Sequence, residues 1–258
     1  MQAIVLPVVF ALASCASFAA EPPIRIGELN SYTAQPSFLG PYRNGWNLAL
    51  KELNDAGGLL GRQVDVVSRD DLGTPESAVR VAEALLSRDR AEVIFGTFLS
   101  NVGLAIAEFA KHRRVLFLAA EPLTDKITWQ NGNDYTFRLA LSTYMQVAML
   151  VPEAARMRKR RWALVYPNYE YGQSAAETFK SMLIAAQPDV EFVAELSPAL
   201  GHIDAGATVQ ALSDANPDAI FNVLFGTDLS KFVREGQLRG VFRNRRVVSM
   251  LTGWPEYL

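Results

Sequence analysis

The chain has 258 residues, 50% hydrophobic and 20% charged, with a formal net charge of −2. That is a globular balance, long enough for two modest lobes or one large α/β unit. With Lys and Arg at 25 against Asp and Glu at 27, no global field draws in nucleic acid or an anionic membrane. The single Cys excludes an intrachain disulfide and a Cys-based zinc cluster, and His112 and His202 lie too far apart in sequence to suggest a His-rich metal site.

The first residues differ in kind from the rest. Ala3 to Ala13 is almost wholly apolar, too short to span a bilayer but the right length for the core of a secretory signal. Ser17 and Ala19 stand at the small-residue positions of a cleavage site, so residues 1–20 read as a signal and the mature chain opens near Glu21. Leu12-Ala13-Ser14-Cys15 offers a second route, in which Cys15 would carry a lipid. Either route takes the protein out of the cytoplasm.

Ile24 and Ile26 open a first strand, and the Gly/Pro/Ser-rich stretch from Asn30 to Pro41 reads as a long loop above its end. A helix from about Tyr42 to Asn54 places Tyr42, Trp46, Ala49, Leu50 and Leu53 on one face and stops at Gly57-Gly58. Gln63 to Val67 is a second strand that ends in Arg69-Asp70-Asp71. Neighbouring strand residues point to opposite faces, which disfavours Asp70 and Asp71 as an acid/base pair. Thr74-Pro75 starts a helix with Ala78, Val81, Ala82, Leu85 and Leu86 as its buried stripe.

The most informative stretch follows. Val93 to Phe95 is a short buried strand ending at Gly96, and a helix begins at once, with Ser100 as N-cap and Val102, Ala105, Ile106 and Phe109 along one stripe. Such a turn aims unpaired N–H groups and the Ser100 hydroxyl at whatever lies above the strand end, a place for an anion such as a carboxylate. Ser100 could equally do no more than cap its own helix. Val115 to Leu118 is the next strand, with Ala119-Ala120-Glu121-Pro122 at its end. Strands alternating with helices through short connections predict right-handed crossovers, a parallel sheet covered on both faces, and binding at the strands' carboxyl ends.

After Tyr135 to Leu139 the pattern begins again, with a helix from Tyr144 to Arg156 and the basic run Arg158-Lys159-Arg160-Arg161. Four cations at a helix end fit a solvated, dipole-favoured terminus better than a nucleic-acid patch. Trp162 to Tyr166 is a strand, Asn168 to Gln173 its loop and Ser174 to Ala186 a helix. Strand Val190 to Leu196, helix Thr208 to Asp214, strand Ala219 to Leu224, helix Leu229 to Gly240 and strand Arg246 to Leu251 complete a second α/β unit. The boundary falls near Leu141, giving units 21–141 and 142–258.

Asn54-Asp55-Ala56-Gly57-Gly58-Leu59-Leu60-Gly61-Arg62, Arg69-Asp70-Asp71 with Thr74-Pro75, and Gly96 with Ser100, followed by Leu123-Thr124, Phe137-Arg138 and Tyr171-Gly172, carry a resemblance. In order and spacing they resemble the leucine/isoleucine/valine-binding protein family, the periplasmic substrate-binding components of ABC transporters, over nearly everything after the signal. The resemblance implies a two-lobed periplasmic-binding-protein fold, each lobe a mainly parallel sheet with helices on both faces, closing on an amino acid. It implies a periplasmic monomer that takes a small-molecule ligand to permease subunits, with no cofactor, no metal and no catalytic residue, and with the membrane met only through the permease or a lipid on Cys15.

The same resemblance carries the site. Ser100 matches the serine that binds the ligand carboxylate. Ala119, Ala120 and Glu121 match the next binding loop, where backbone groups and a small hydroxyl are usual and Glu121 is a departure. Tyr171 matches a tyrosine that closes over the ligand, although an aromatic beside glycine is also a common packing residue. The loops around Asn222 and Phe225 and around Trp254 line the second wall. Tyr32 and Phe38 wall the side-chain pocket or pack on the surface. Family members continue for about a third of a chain beyond Leu258, so a truncated second lobe with incomplete return crossovers is expected.

Against an exported enzyme stand the absence of GxSxG, HExxH, GxxxxGK[ST] and a GxGxxG after the first strand. A sensor of amides, urea or aromatic acids on the same fold is the alternative to transport.

Overall fold

The computed structural model describes residues 21–253. Two parallel sheets form two lobes. The first is built from β1 (Ile24–Asn30), α1 (Pro36–Asp55), β2 (Val64–Asp70), α2 (Pro75–Ser87), β3 (Val93–Gly96), α3 (Ser100–Arg113), β4 (Leu116–Ala119) and β5 (Thr136–Arg138), in the order β2-β1-β3-β4-β5. The second holds α4 (Thr143–Arg156), β6 (Arg161–Val165), α5 (Glu170–Ala186), β7 (Glu191–Leu196), α6 (Ala205–Ala215), β8 (Ala219–Asn222), α7 (Gly226–Leu238) and β9 (Arg246–Ser249), in the order β7-β6-β8-β9. Every strand pair is parallel. In each sheet the order reverses once, between β1 and β3 and between β6 and β8, and such switch points open a crevice at the strands' carboxyl ends.

Local chemistry places the elements. Thr74 caps α2 by accepting from the Ser77 amide, Ser142 caps α4 through Met145, and Asp204 caps α6 through Ala207, each satisfying a donor that the helix itself leaves open. The basic run is solvated and tied to β7, with Arg160 3.3 Å from Asp189 and Arg161 3.6 Å from Glu191. Asp70 and Asp71 diverge as expected. Asp71 is fully buried and accepts from the Ser31 hydroxyl and the Gly73 amide, while Asp70 takes the Thr33 and Leu72 amides.

Several boundaries differ from the sequence reading, α6 and α7 each opening three residues earlier than expected. The loop expected up to Pro41 is already helix from Pro36, which sits at the first helical positions where its missing N–H costs nothing. Pro41 is tolerated inside α1 because Gly40 precedes it and offers no Cβ to clash with the proline ring. Helix α5 likewise starts four residues early, so Tyr171 lies in its first turn and not in a loop. Thr136–Arg138 adds an edge strand too short for any periodicity to announce.

The core falls into three clusters. One lies under the first sheet, around Leu29, Ile94, Ile106 and Phe117. Another lies on the outer face of the second sheet, around Ile220, Leu229 and Phe232. The third joins the lobes: Phe38 and Leu39 of α1 are buried with Trp162, Leu164, Phe179 and Phe221 of the second lobe, where the Phe179 and Phe221 rings stack at 3.9 Å.

Candidate functional site

Each of the four strand ends that flank the two switch points delivers an aromatic ring. Phe38 follows β1 on the first turn of α1, Phe98 follows β3, Tyr169 and Tyr171 follow β6, and Phe225 follows β8 at the start of α7. The β3 end turns sharply because Gly96 and Thr97 both adopt positive φ, at 120° and 63°, and the Thr97 amide then donates to the Leu29 carbonyl at 2.8 Å. Phe225 is the hub. Its ring meets Phe38 at 6.0 Å, Phe98 at 6.0 Å, Tyr169 at 6.4 Å and Tyr171 at 5.9 Å, all at steep angles between 62° and 77°. Phe38 and Phe98 are 5.3 Å apart. The rings therefore pack edge to face around Phe225 instead of stacking.

These five rings enclose a cavity of about 110 Å³ between the lobes, completed by Ser100, Glu121, Leu123, Ala140 and Leu251. Among the described residues no Lys, Arg or His lines it, and Glu121 is its one carboxyl group. Burial, with Tyr171 close by, pushes the Tyr169 phenol well above its usual range, so it stays neutral. Just outside the cavity the lobes are fastened through Thr124, Asp125 and Lys126. The Thr124 hydroxyl and the Lys126 ammonium donate to Glu170 at 2.7 and 3.0 Å, and the Thr143 hydroxyl donates to Asp125 at 2.6 Å.

Five expected site residues, Phe38, Ser100, Glu121, Tyr171 and Phe225, thus meet at one cavity, while Ala119, Ala120, Asn222 and Tyr32 are not part of its lining. Ser100 is not an N-cap. Leu99 holds that position, and the buried Ser100 hydroxyl instead accepts the amides of Leu123 and Thr124 at 3.2 Å each, because the β4 loop folds over the helix start. Ala119 and Ala120 lie outside the cavity wall, and the loop offers few free amides: Ala120 N–H donates to Gly96 and Glu121 N–H to Thr97.

Asn222 is buried as a strand-end brace, donating to Ser249 at 2.9 Å and accepting from the Leu224 amide. Tyr32 is turned away by its own partners, donating to Glu28 at 3.0 Å and accepting from Trp46 at 3.2 Å, with the Arg43 guanidinium 3.6 Å over its ring. Trp254 and the segment 1–20 with Cys15 lie outside the described residues. Sequence reasoning missed Phe98, Leu123, Tyr169, Ala140 and Leu251. Phe98 and Tyr169 carried a signal, being aromatic residues inside the two strand-end turns already singled out.

It also missed Glu28, a fully buried carboxyl at the end of β1. Burial raises it from 4.5 to about 7, against the lowering effect of hydrogen bonds from Ser68 and Tyr32 and of nearby Arg43. Among the described residues no cluster of three or more His, Cys, Asp or Glu side chains is arranged to hold a metal ion, and no helix is long and apolar enough to cross a membrane.

The family model described as periplasmic binding protein matches residues 23–258. In sequence the chain is 25% identical over 246 residues to Leu/Ile/Val-binding protein homolog 7 of Brucella suis, covering 92% of this chain and 60% of that one. It is 26% identical over 160 residues to an amino acid binding protein of Pseudomonas aeruginosa, covering 61% and 42%. The chain thus spans about half the length of the curated relatives it matches.

In structure it is similar to a solute binding protein of an ABC transporter from Rhodopseudomonas palustris solved with 3,4-dihydroxy benzoic acid, at a TM-score of 0.79 and 24% identity over 88% of this chain and 61% of that chain. It is also similar to the closed conformation of a leucine-, isoleucine-, valine-, threonine- and alanine-binding protein from Brucella ovis, at a TM-score of 0.76 and 20% identity over 91% and 62%. At these identities the likeness is one of fold.

Proposed function

The chain belongs to the periplasmic binding protein family, and from that premise we propose that it is the solute-binding component of an ABC transporter, which captures an amino acid or a related small acid between its lobes for delivery to membrane permease subunits. The observation that carries this reading is the cavity at the paired switch points, walled from both lobes by Phe38, Phe98, Tyr171 and Phe225. A site whose walls come from two bodies ties occupancy to closure, so a partner that recognises the closed form reads out binding. The relatives' names support an amino-acid solute, and the solved complexes of the same fold support aromatic acids.

In this reading residues 1–20 are an export signal, 21–141 and 142–258 are the two lobes, and the protein works in the periplasm as a monomer without catalysis or cofactor. Cys15 is a residue of the discarded signal. Ser100, Glu121, Tyr171, Phe225 and Phe38 are the contact residues.

The test is a thermal-melt screen of the purified protein against amino acids, small aromatic acids and amides, since a ligand bound only by the folded state raises the midpoint with its concentration over Kd. One chemical class should shift the midpoint, and Phe225→Ala should remove the shift. A flat response across all classes would sink the reading.

A further inference from the structure

Resting on the reading of the interlobe cavity as the solute site, we infer that Lys126 is the positioning residue that keeps the lobes closed, as the cation of a latch that the solute does not touch. Its partners are the first ground. The short turn Asp125–Ile127 belongs to the first lobe, and from it the Lys126 ammonium donates to Glu170, in the first turn of α5 of the second lobe, at 3.0 Å. The same carboxyl group accepts the hydroxyl of the fully buried Thr124 at 2.7 Å. The Glu170 side chain is only 14% exposed, so both bonds are charge-assisted and largely out of water. Neither Thr124, Lys126 nor Glu170 lines the solute cavity, yet Glu170 is followed by Tyr171, which does.

The second ground is charge. A groove beside the latch is lined by Asp125 and Lys126 of the first lobe and by Glu177 of α5, and among the described residues Lys126 is its one cation. With Glu170 bonded to it, Lys126 serves three carboxylates, one on its own lobe and two across the interface. A neutral side chain in its place would leave those carboxylates facing one another, and like charges at close range repel.

The third ground is position. Asp125 also crosses between the lobes, accepting the Thr143 hydroxyl at 2.6 Å and the Tyr144 amide at 3.0 Å at the start of α4, where the helix dipole favours a negative charge. The chain passes from one lobe to the other at residues 139–142, directly before α4, so this contact sits beside the crossover and moves little when the lobes rotate. The Lys126 contact joins residues 44 apart in sequence and breaks when the lobes part. Asp125 is therefore the pivot and Lys126 the latch. A half-exposed ion pair adds little to folding stability, but a solute that binds only the closed form has its apparent Kd raised in proportion as the closed fraction falls.

The experiment is small-angle X-ray scattering of the purified protein without solute, at about 0.02 M and about 0.5 M NaCl. In the wild type salt screens an attraction between the lobes, so the radius of gyration should rise with salt. In Lys126→Met the carboxylates repel, so the radius should start larger and fall with salt. That reversal of sign is not produced by a mere loss of packing. Titration calorimetry with L-leucine and benzoate as probes adds the binding readout: a probe that binds the wild type should bind Lys126→Met about five- to tenfold more weakly, and Lys126→Arg, which keeps the charge, should restore most of the affinity. A radius that responds to salt in the same direction in wild type and Lys126→Met would overturn the inference. Because the scattering is read without solute, a reversed response with neither probe bound would support the latch while counting against the proposed solute classes.

Discussion

Two glutamates of the first lobe stand at the carboxyl ends of its strands, Glu28 on β1 and Glu121 after β4, and both act electrostatically on the same buried phenol, Tyr42. Their surroundings differ. Glu28 is enclosed by its own lobe, with the Ser68 hydroxyl donating to one oxygen at 2.5 Å and the Tyr32 hydroxyl to the other at 3.0 Å. Glu121 stands on the wall of the interlobe cavity, among rings contributed by both lobes. Glu28 thus braces its own lobe, whereas Glu121 stands where the two lobes meet. The residue type is the same, and the neighbours decide the role.

Gly96 connects the two environments, and its substitution should have the largest effect. Its φ of +120° disfavours any side chain, and a Cβ there would stand 2.2 Å from the Leu29 carbonyl oxygen and 3.3 Å from a Glu28 carboxyl oxygen. Its own carbonyl accepts the Ala120 amide, one residue before Glu121. Gly96→Ala is expected to lower stability by about 3 kcal/mol or more, read from the urea midpoint, and to weaken solute binding as well. A midpoint within error of wild type would separate the two glutamates completely.

The next effect isolates Glu28. Its folded pKa is raised from 4.5 to about 7, so between those values the folded protein holds a proton that the unfolded chain has released. Stability therefore falls as pH rises from 4.5 through 7 and levels off above. The full change amounts to about 3 kcal/mol if the other groups around it stay fixed. Those groups are Tyr32, Tyr42, Arg43 and Asp71, the last itself raised by burial. Glu28→Gln should remove most of this slope from melts taken between pH 5 and pH 8, and a slope unchanged in the variant would assign it elsewhere.

Much of this architecture was legible in the sequence, because strands such as Val93 to Phe95 and caps such as Thr74 announce themselves locally. The cavity was only half legible. Phe38 and Tyr171 were placed in loops because proline and an aromatic-glycine pair look like punctuation, yet Pro36 opens a helix and Tyr171 belongs to a first turn. Ser100 was expected to cap its own helix, whereas its hydroxyl serves a loop 23 residues away in sequence. For Tyr32 the sequence leaves pocket wall and surface packing both open, and the family resemblance places Asn222 on the second wall. Their side chains are instead taken by Glu28, four residues back along the chain from Tyr32, and by Ser249, which the register of β8 with β9 brings beside Asn222. Glu28 itself sits in an apolar strand run with nothing beside it in sequence to mark it.

The smallest effect tests the Tyr32 to Glu28 contact directly. Tyr32→Phe keeps the ring under Arg43 but removes the hydroxyl that donates to Glu28 and accepts from Trp46. The loss of one bond of this kind costs about 1 kcal/mol. Because that hydroxyl helps to hold the Glu28 pKa down, its removal should raise that pKa further. The fall in stability with pH should then extend above pH 7 in Tyr32→Phe while it disappears in Glu28→Gln. The double variant should show no slope, since Tyr32 acts on the titration only through Glu28. If Tyr32→Phe instead weakens solute binding as strongly as Phe225→Ala and leaves the pH profile unmoved, Tyr32 belongs to the cavity after all and the division between the two glutamates fails.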